Sequence, residues 1–277
     1  MKRSLFPAGL FLLAAMLVMP AYAAASAQGS RIIDTPHNLS TSGGGGAHNI
    51  KSSEEARICV FCHTPHHALS DGPLWSRKSN ITTYIPYAST TIKANPEQPK
   101  GASRLCLSCH DGTVALGVLN NNYQVSGLGK IPYDLNPEQN ANLGVDLSTS
   151  HPVSMTYGLS GELNDKSTLQ AKGIALSEET YVECNSCHDP HNNQYGNFLV
   201  RDTSKEHDLL CRDCHNKSGW DNVDSRHRTG GTRYSSTVGT QVKADGCRSC
   251  HLPHSAQRGV HLLKAATAGA GEESNCL

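Results

Sequence analysis

Five copies of the pattern Cys-x-x-Cys-His are the residues of this sequence whose types and spacing could do chemistry. They span Cys59–His63, Cys106–His110, Cys184–His188, Cys211–His215 and Cys247–His251. Two cysteines at this spacing can form thioether bonds to the two vinyl groups on one edge of a haem, and the next histidine can then bind the iron. The pattern therefore predicts five covalent c-type haems. Their predicted attachment residues are Cys59, Cys62, Cys106, Cys109, Cys184, Cys187, Cys211, Cys214, Cys247 and Cys250, and the predicted iron ligands are His63, His110, His188, His215 and His251.

Zinc ribbons and redox disulfides also use paired cysteines at this spacing. Both alternatives leave the histidine after every second cysteine unexplained, so haem is the preferred interpretation. The eleventh cysteine, Cys276, belongs to no motif. It is interpreted as an unpaired tail residue, with crosslinking between molecules as the alternative.

The motifs occur in two forms that define an internal repeat. Three of them continue as Cys-x-x-Cys-His-x-Pro-His, and we call these, at Cys59, Cys184 and Cys247, the extended motifs. The other two, at Cys106 and Cys211, are the plain motifs. An extended motif followed by a plain one makes a pair, so the chain contains two and a half repeats. The predicted domains are a first haem pair (28–145), a second pair (146–218) and a single-haem unit (219–264), with a signal peptide (1–27) before them and a flexible tail (265–277) after them.

Each extended motif carries an extra histidine, which we call the trailing histidine: His66, His191 or His254. The proline before it moves the chain toward extended conformation, away from the haem of its own motif. Three residues span at most about 10 Å, so a haem bound by a trailing histidine must lie very near that first haem. We expect His66 and His191 to bind the second haem of their own pairs. The alternative is an exposed or propionate-bonding histidine.

An upstream histidine completes the ligand count of each pair. His37 and His151 both stand in the pattern His-x-(Leu/Val)-Ser, and His48 is the alternative to His37. The predicted ligand sets are His37, His63, His66 and His110 for the first pair, and His151, His188, His191 and His215 for the second. Four imidazoles for two irons make every iron six-coordinate.

The fifth haem is assigned His251 and, upstream, His227, with His261 as the alternative. His254 then has three interpretations: a spare residue, a ligand for the second pair, or a ligand to a haem of a neighbouring molecule, which would chain molecules head to tail. Met155 is the one methionine beyond the signal peptide. We therefore expect bis-histidine haems of low potential.

The start of the chain predicts secretion. Lys2 and Arg3 precede an apolar run over residues 5–19, and Ala21-Tyr22-Ala23 fits a cleavage site. The apolar run is shorter than the roughly 20 residues that a membrane span needs, so no stable span is expected after cleavage. The predicted location is the periplasm or the cell exterior.

The composition predicts a small core and little regular structure. Aromatic residues make up 5% of the chain, with 25 glycines and 13 prolines, so porphyrin faces must supply part of the apolar interior. We expect a mostly irregular chain with short α-helices that lead into the motifs after the polar signals at Ser52, 177–179 and 204–206. Loops are expected at 43–46, 120–122 and 136–142. The formal net charge of zero argues against a nucleic-acid partner.

The motifs over residues 32–262 resemble those of multihaem c-type cytochromes with doubled Cys-x-x-Cys-His motifs, a family frequent in anaerobically respiring bacteria. The resemblance implies stacked bis-histidine haems in a loop-rich chain that passes electrons to redox proteins or extracellular acceptors, as a periplasmic shuttle or a self-associating filament. A multihaem enzyme acting on a small nitrogen or sulfur compound is the alternative. Such an enzyme needs an iron with an open face. All five motifs end in histidine, which favours the carrier.

Overall fold

Most of the chain has no regular secondary structure. The structure, a computed structural model, describes residues 31–264 except 45, 47, 71, 78–81, 121–122, 222–224, 231–241 and 258–259. The helices in the described residues are α1 (Gly101–His110), α2 (Ser167–Ala171), α3 (Cys184–Cys187), α4 (Leu209–Cys214), α5 (Ser218–Asp221), α6 (Arg226–Thr229) and α7 (Val242–Asp245). Short 3-10 helices cover Ile32–Asp34, Cys59–Phe61, Gly246–Ser249 and Val260–Leu262. Strands β1 (Met155–Thr156) and β2 (Tyr181–Val182) form one antiparallel pair. The predicted loop-rich fold with short helices is confirmed.

Several predicted features lie outside the described residues. These are the signal peptide (1–27), the tail (265–277) with Cys276, and part of the 120–122 loop. Within the residues that the structure does describe, no helix is both long and apolar enough to cross a membrane.

Short helices carry the cysteines of three motifs, as the sequence predicted, whereas the α-helix expected after Ser52 does not form. Helices α1, α3 and α4 each include the two cysteines of a motif, and the other two motifs lie in 3-10 turns. The hydroxyl of Ser52 does accept the Glu54 and Glu55 N–H groups, at 3.1 and 3.0 Å. No α-helix follows, because the serine closes a local turn. Residues 177–181 likewise form a tight hairpin, with Glu178 and Glu179 at positive φ.

The end of α1 is fixed by a close approach between two loops. Gly112, just beyond the helix, has φ +66° and lies so near Asn142 that an added Cβ would be 2.3 Å from its amide nitrogen. Only glycine fits both constraints. The Asn142 side chain in turn donates to the Ile131 carbonyl at 2.8 Å. The contact therefore holds the loop that follows α1 against residues 131–142.

The buried apolar side chains of the described residues form three small clusters, two of which have motif cysteines packed against them. The largest contains Phe61, Leu116, Leu119, Val125, Leu128 and Ile131, with Cys62 and Cys109 packed against it. A second surrounds Tyr157 and Leu169, with Cys214 at its edge. The third is built on Tyr84, Leu107 and Leu147. Protein side chains thus pack directly beside the positions where haem would be attached.

Arg77 is the largest fully buried side chain, 1% exposed. Its guanidinium donates to the carbonyls of Leu116 at 2.7 Å and of Ser108 and Ala115 at 3.1 Å. One charged side chain therefore joins the end of α1 to the segment that follows it. Charge-assisted hydrogen bonds of this kind are stronger than neutral ones.

We expect Arg77→Met to lower the free energy of unfolding by about 2 to 5 kcal/mol, because three buried carbonyls lose their donor. Denaturant unfolding of the secreted protein measures this. Arg31→Met is the matched control, because the Arg31 side chain is 77% exposed and pairs only with Asp34; its effect should stay within roughly 0.5 kcal/mol. Equal effects of the two substitutions would contradict the assigned role of Arg77.

Candidate haem-binding sites

Each of the three extended motifs is followed by a loop with the same hydrogen-bond pattern. Each motif histidine forms a bridge with a residue that returns antiparallel to it: His63 with Trp75, His188 with Leu199 and His251 with Leu263. The next N–H in each motif donates to the returning chain: Thr64 to Leu74, Asp189 to Phe198 and Leu252 to Leu262, at 2.7 to 2.9 Å. An apolar dipeptide 10 to 12 residues after each motif histidine marks this return in the sequence. The backbone that leads into each trailing histidine therefore has the same hydrogen-bonded arrangement.

A backbone carbonyl fixes one ring nitrogen of four motif histidines. The Nδ1–H groups of His63, His110, His188 and His251 donate to the carbonyls of Pro73 (2.9 Å), Ala141 (2.7 Å), Asn197 (2.8 Å) and His261 (2.7 Å). A carbonyl can only accept, so Nδ1 carries the proton and Nε2 keeps its lone pair. A histidine that binds a metal through one ring nitrogen usually has such a hydrogen bond at the other.

Four motif histidines face another imidazole at nearly the same separation. The ring centroids are 6.1 Å apart for His37 and His110, His63 and His191, and His188 and His254, and 6.2 Å apart for His151 and His215. Two metal–imidazole bonds of about 2 Å, together with ~1 Å from each ring nitrogen to its centroid, give roughly 6 Å. Each pair is therefore spaced to hold one iron between its rings.

Burial favours the neutral, ligating form of six of these eight imidazoles. It lowers the pKa of His254 to about 3 and the pKa of His37 and His215 to about 4, with the facing histidine adding to the shift. Burial also lowers the pKa of His110, His151 and His188. A protonated imidazole cannot bind metal, so these rings are prepared for iron at neutral pH.

Motif thiols that follow one another along the chain lie near each other. Hydrogen bonds join Cys106 to Cys184 and Cys211 to Cys247, and they raise the pKa of Cys106 and of Cys247. Burial, aided by the charge of the nearby Cys109, raises the pKa of Cys62 to about 12, and burial aided by the charge of Cys214 does the same for Cys187. The first cysteines of neighbouring motifs are thus joined by hydrogen bonds, and the second cysteines influence each other electrostatically.

The surroundings of His254 also fit a porphyrin. Its Nδ1 atom is buried and has no hydrogen-bond partner among the described residues. Either ring nitrogen can occupy this position, because the ring can be turned over. Beside it is an open cleft whose lining includes Leu107, Leu147, His151 and Cys184. A buried nitrogen next to apolar walls and a motif cysteine fits haem chemistry. No cluster of three or more histidine, cysteine, aspartate or glutamate side chains suited to a metal ion occurs in the described residues.

The trailing histidines cross between units, which differs from the ligand sets expected above. His37 and His151 face the plain-motif histidines of their own pairs, the positions that the sequence analysis gave to His66 and His191. His191, however, faces His63 of the first pair, and His254 faces His188 of the second. The sequence reasoning missed this because the expected sets treated each pair as self-contained. The return loops place each trailing ring on the side of the preceding unit.

The remaining histidines have other positions. His66 is exposed, and His227 lies exposed on α6; among the described contacts neither ring faces His251. His48 pairs with Asp134 at 3.6 Å, so it does not compete with His37. His261 offers its backbone carbonyl to His251. The assignment of His66 to its own pair and of His227 to the fifth haem therefore gains no support from the observed pairs.

Two aromatic side chains in the return loops pack on ligand rings, and the sequence reasoning did not identify them. Phe198 stacks on His37 with ring centroids 4.2 Å apart, and Trp75 meets His63 edge to face at 6.1 Å. Both belong to the apolar dipeptides of the return loops. These contacts fix the orientation of the imidazoles.

Comparison with known proteins agrees with the motif chemistry. Residues 179–219 match a family model described as the doubled CXXCH motif. This segment includes the second extended motif and the second plain motif. No curated protein matches the chain. The match supports a relation to multihaem c-type cytochromes, and the motifs indicate covalently bound haem c and a role in electron transfer.

Proposed function

We propose that this protein carries electrons through five covalently bound c-type haems in anaerobic respiration, in the periplasm or outside the cell. The observation that carries the proposal is the set of four imidazole pairs at 6.1 to 6.2 Å. Bound haem supplies an iron that cycles between its ferric and ferrous states. The partners are redox proteins or extracellular electron acceptors.

The chain's own residues would hold each haem and would cover four of the five on both faces. The motif cysteines anchor one edge, and carbonyls orient the motif histidines for the first, second, third and fifth irons. His191, His37, His254 and His151 cover the opposite faces at the first, second, third and fourth motifs. Bis-histidine ligation excludes substrates from these irons and favours low potentials. The thiol contacts bring consecutive haem edges together in one series.

A multihaem reductase is the second candidate, and one observation favours it. Among the described residues, no imidazole faces the exposed His251, so the fifth haem could have an open face for a small nitrogen or sulfur compound. Carbon monoxide binding to the reduced protein distinguishes the cases, because it requires an open iron. A carrier with closed irons binds none, whereas a reductase binds about one equivalent per chain.

We expect the mass of the secreted, matured protein to exceed that of its polypeptide by five haems. Ten of its 11 cysteines are then thioethers, so one thiol per denatured chain, Cys276, should react with a thiol reagent. Ten or 11 reactive thiols after removal of metal would instead indicate zinc or no cofactor. Carbon monoxide binding at four or more haems would contradict the observed imidazole pairs as ligands.

A further inference from the structure

The trailing histidines follow one rule in this structure. His191 belongs to the second extended motif and faces the motif histidine of the first, His63. His254 belongs to the third and faces the motif histidine of the second, His188. The centroid separation is 6.1 Å in both cases. A trailing histidine therefore reaches back to the extended motif before its own.

Under this rule, one trailing histidine and one motif histidine have no counterpart among the described residues. His66 is the trailing histidine of the first extended motif, and this sequence contains no extended motif before it. His251 is the motif histidine of the third, and no trailing histidine faces it. Both residues are exposed. The loop of His66 is built like the other two, and the Thr64 hydroxyl also donates to the His66 carbonyl at 2.9 Å.

Two other histidines are candidates for the position opposite His251, and both have contacts of another kind. His254 is opposite His188, and the His261 carbonyl holds the other side of the His251 ring at Nδ1. Among the described residues, no ring contact joins His66 to the His251 of its own chain.

We propose that His66 of one copy binds the iron of the haem held by Cys247, Cys250 and His251 of a second copy. The inference rests on the proposed function, because it requires haem at the fifth motif. Each copy gives one ligand at one end and receives one at the other. Such a contact is heterologous, and repeating it yields a ring or an open filament.

The contact also continues the series of haems from one molecule into the next. Residues 63 to 66 span at most about 10 Å. The haem bound by His63 of the donating copy must therefore lie beside the fifth haem of the receiving copy. The same short segment joins the first and third motifs within a chain, through His188 and His191. The junction between molecules would thus repeat a junction that exists inside each one.

His66→Asn tests the proposal. We expect one high-spin, five-coordinate haem per chain in the electron paramagnetic resonance spectrum, and conversion of assemblies to single chains in analytical ultracentrifugation. The covalent haem count by mass should remain five. Added imidazole should return the high-spin haem to low spin without restoring the assemblies, because free imidazole fills the iron site but joins no molecules.

His67→Asn is the matched control, because His67 is also exposed and asparagine tolerates its φ of +56°. It should leave both spin state and assembly unchanged. An all-low-spin His66→Asn protein with unchanged mass in solution would overturn the proposal. A high-spin haem that appears without any change in assembly would also overturn it, because His66 would then act within its own chain.

His227→Ala provides a second check that separates the two origins of the fifth ligand. The proposal expects this variant to remain low spin and assembled. If His227→Ala creates the high-spin haem and His66→Asn does not, the ligand comes from α6 and the proposal is wrong. Failure of the proposed function would look different, because the wild-type protein would then lack covalent haem altogether.

Discussion

Replacing Cys184 and Cys187 by alanine is expected to remove one covalent haem and to divide the remaining four into two electron-transfer groups. Cys184 is hydrogen-bonded to Cys106 of the second motif, and Cys187 lies near Cys214 of the fourth, so we expect the third haem to be the middle link of the series. Its loss should also lower the free energy of unfolding by at least about 3 to 5 kcal/mol, as removal of a large buried ring does. Mass spectrometry, denaturant unfolding and flash photoreduction measure these three effects.

The control for this experiment is the variant Cys59→Ala/Cys62→Ala. It also removes one haem, but at an end of the series, where Cys62 lies near Cys109 of the second motif. We therefore expect its four remaining haems to equilibrate as one group after partial reduction. If both variants equilibrate in the same way, the haems do not lie in the order of the thiol contacts.

His191→Ala is expected to open the first haem and not a haem of the pair in which His191 lies in the sequence. The His191 ring faces His63 at 6.1 Å with an angle of 16° between the ring planes. Its removal leaves the iron at His63 five-coordinate, because His37 and His151 are already opposite the plain-motif histidines. One high-spin signal and about one equivalent of bound carbon monoxide per chain should appear.

Combining His191→Ala with Cys59→Ala/Cys62→Ala identifies the affected haem. With the first haem already absent, the removal of His191 should add no high-spin signal. A signal that persists in the combined variant would mean that His191 serves a haem of the second pair, as the sequence spacing alone suggested. Covalent haem counts of five, four and four for His191→Ala, the double cysteine variant and the combined variant would show that the proteins matured.

The sequence was sufficient to predict the loop-rich fold, because few aromatics and many glycines preclude a large core. It also placed His37 and His151 in the ligand sets of their own pairs, but it gave the second haem of each pair to the trailing histidine. The bounds of the helices were not predicted, because helices of four to six residues such as α3 and α4 are too short to produce a periodic pattern. Ser52 gave a helix-start signal, but its hydroxyl closes a turn.

The crossing of His191 and His254 could not be read from spacing. It depends on how successive units pack, and a contact between His63 and His191 spans most of two units. The sequence does contain one relevant signal, the apolar dipeptides Leu74-Trp75, Phe198-Leu199 and Leu262-Leu263. They predict equivalent return loops in all three extended motifs. They do not reveal which neighbouring unit each trailing ring faces.

The pairing of His63 with His191 also affects the order of events during biogenesis. On the proposed function, the first haem would be attached once Cys59 and Cys62 have been exported, but His191, which faces His63, is synthesised more than a hundred residues later. A partly translocated or truncated chain would therefore expose an iron that the finished molecule conceals. Premature termination between the second and third motifs should yield a product that binds carbon monoxide and is prone to oxidative damage.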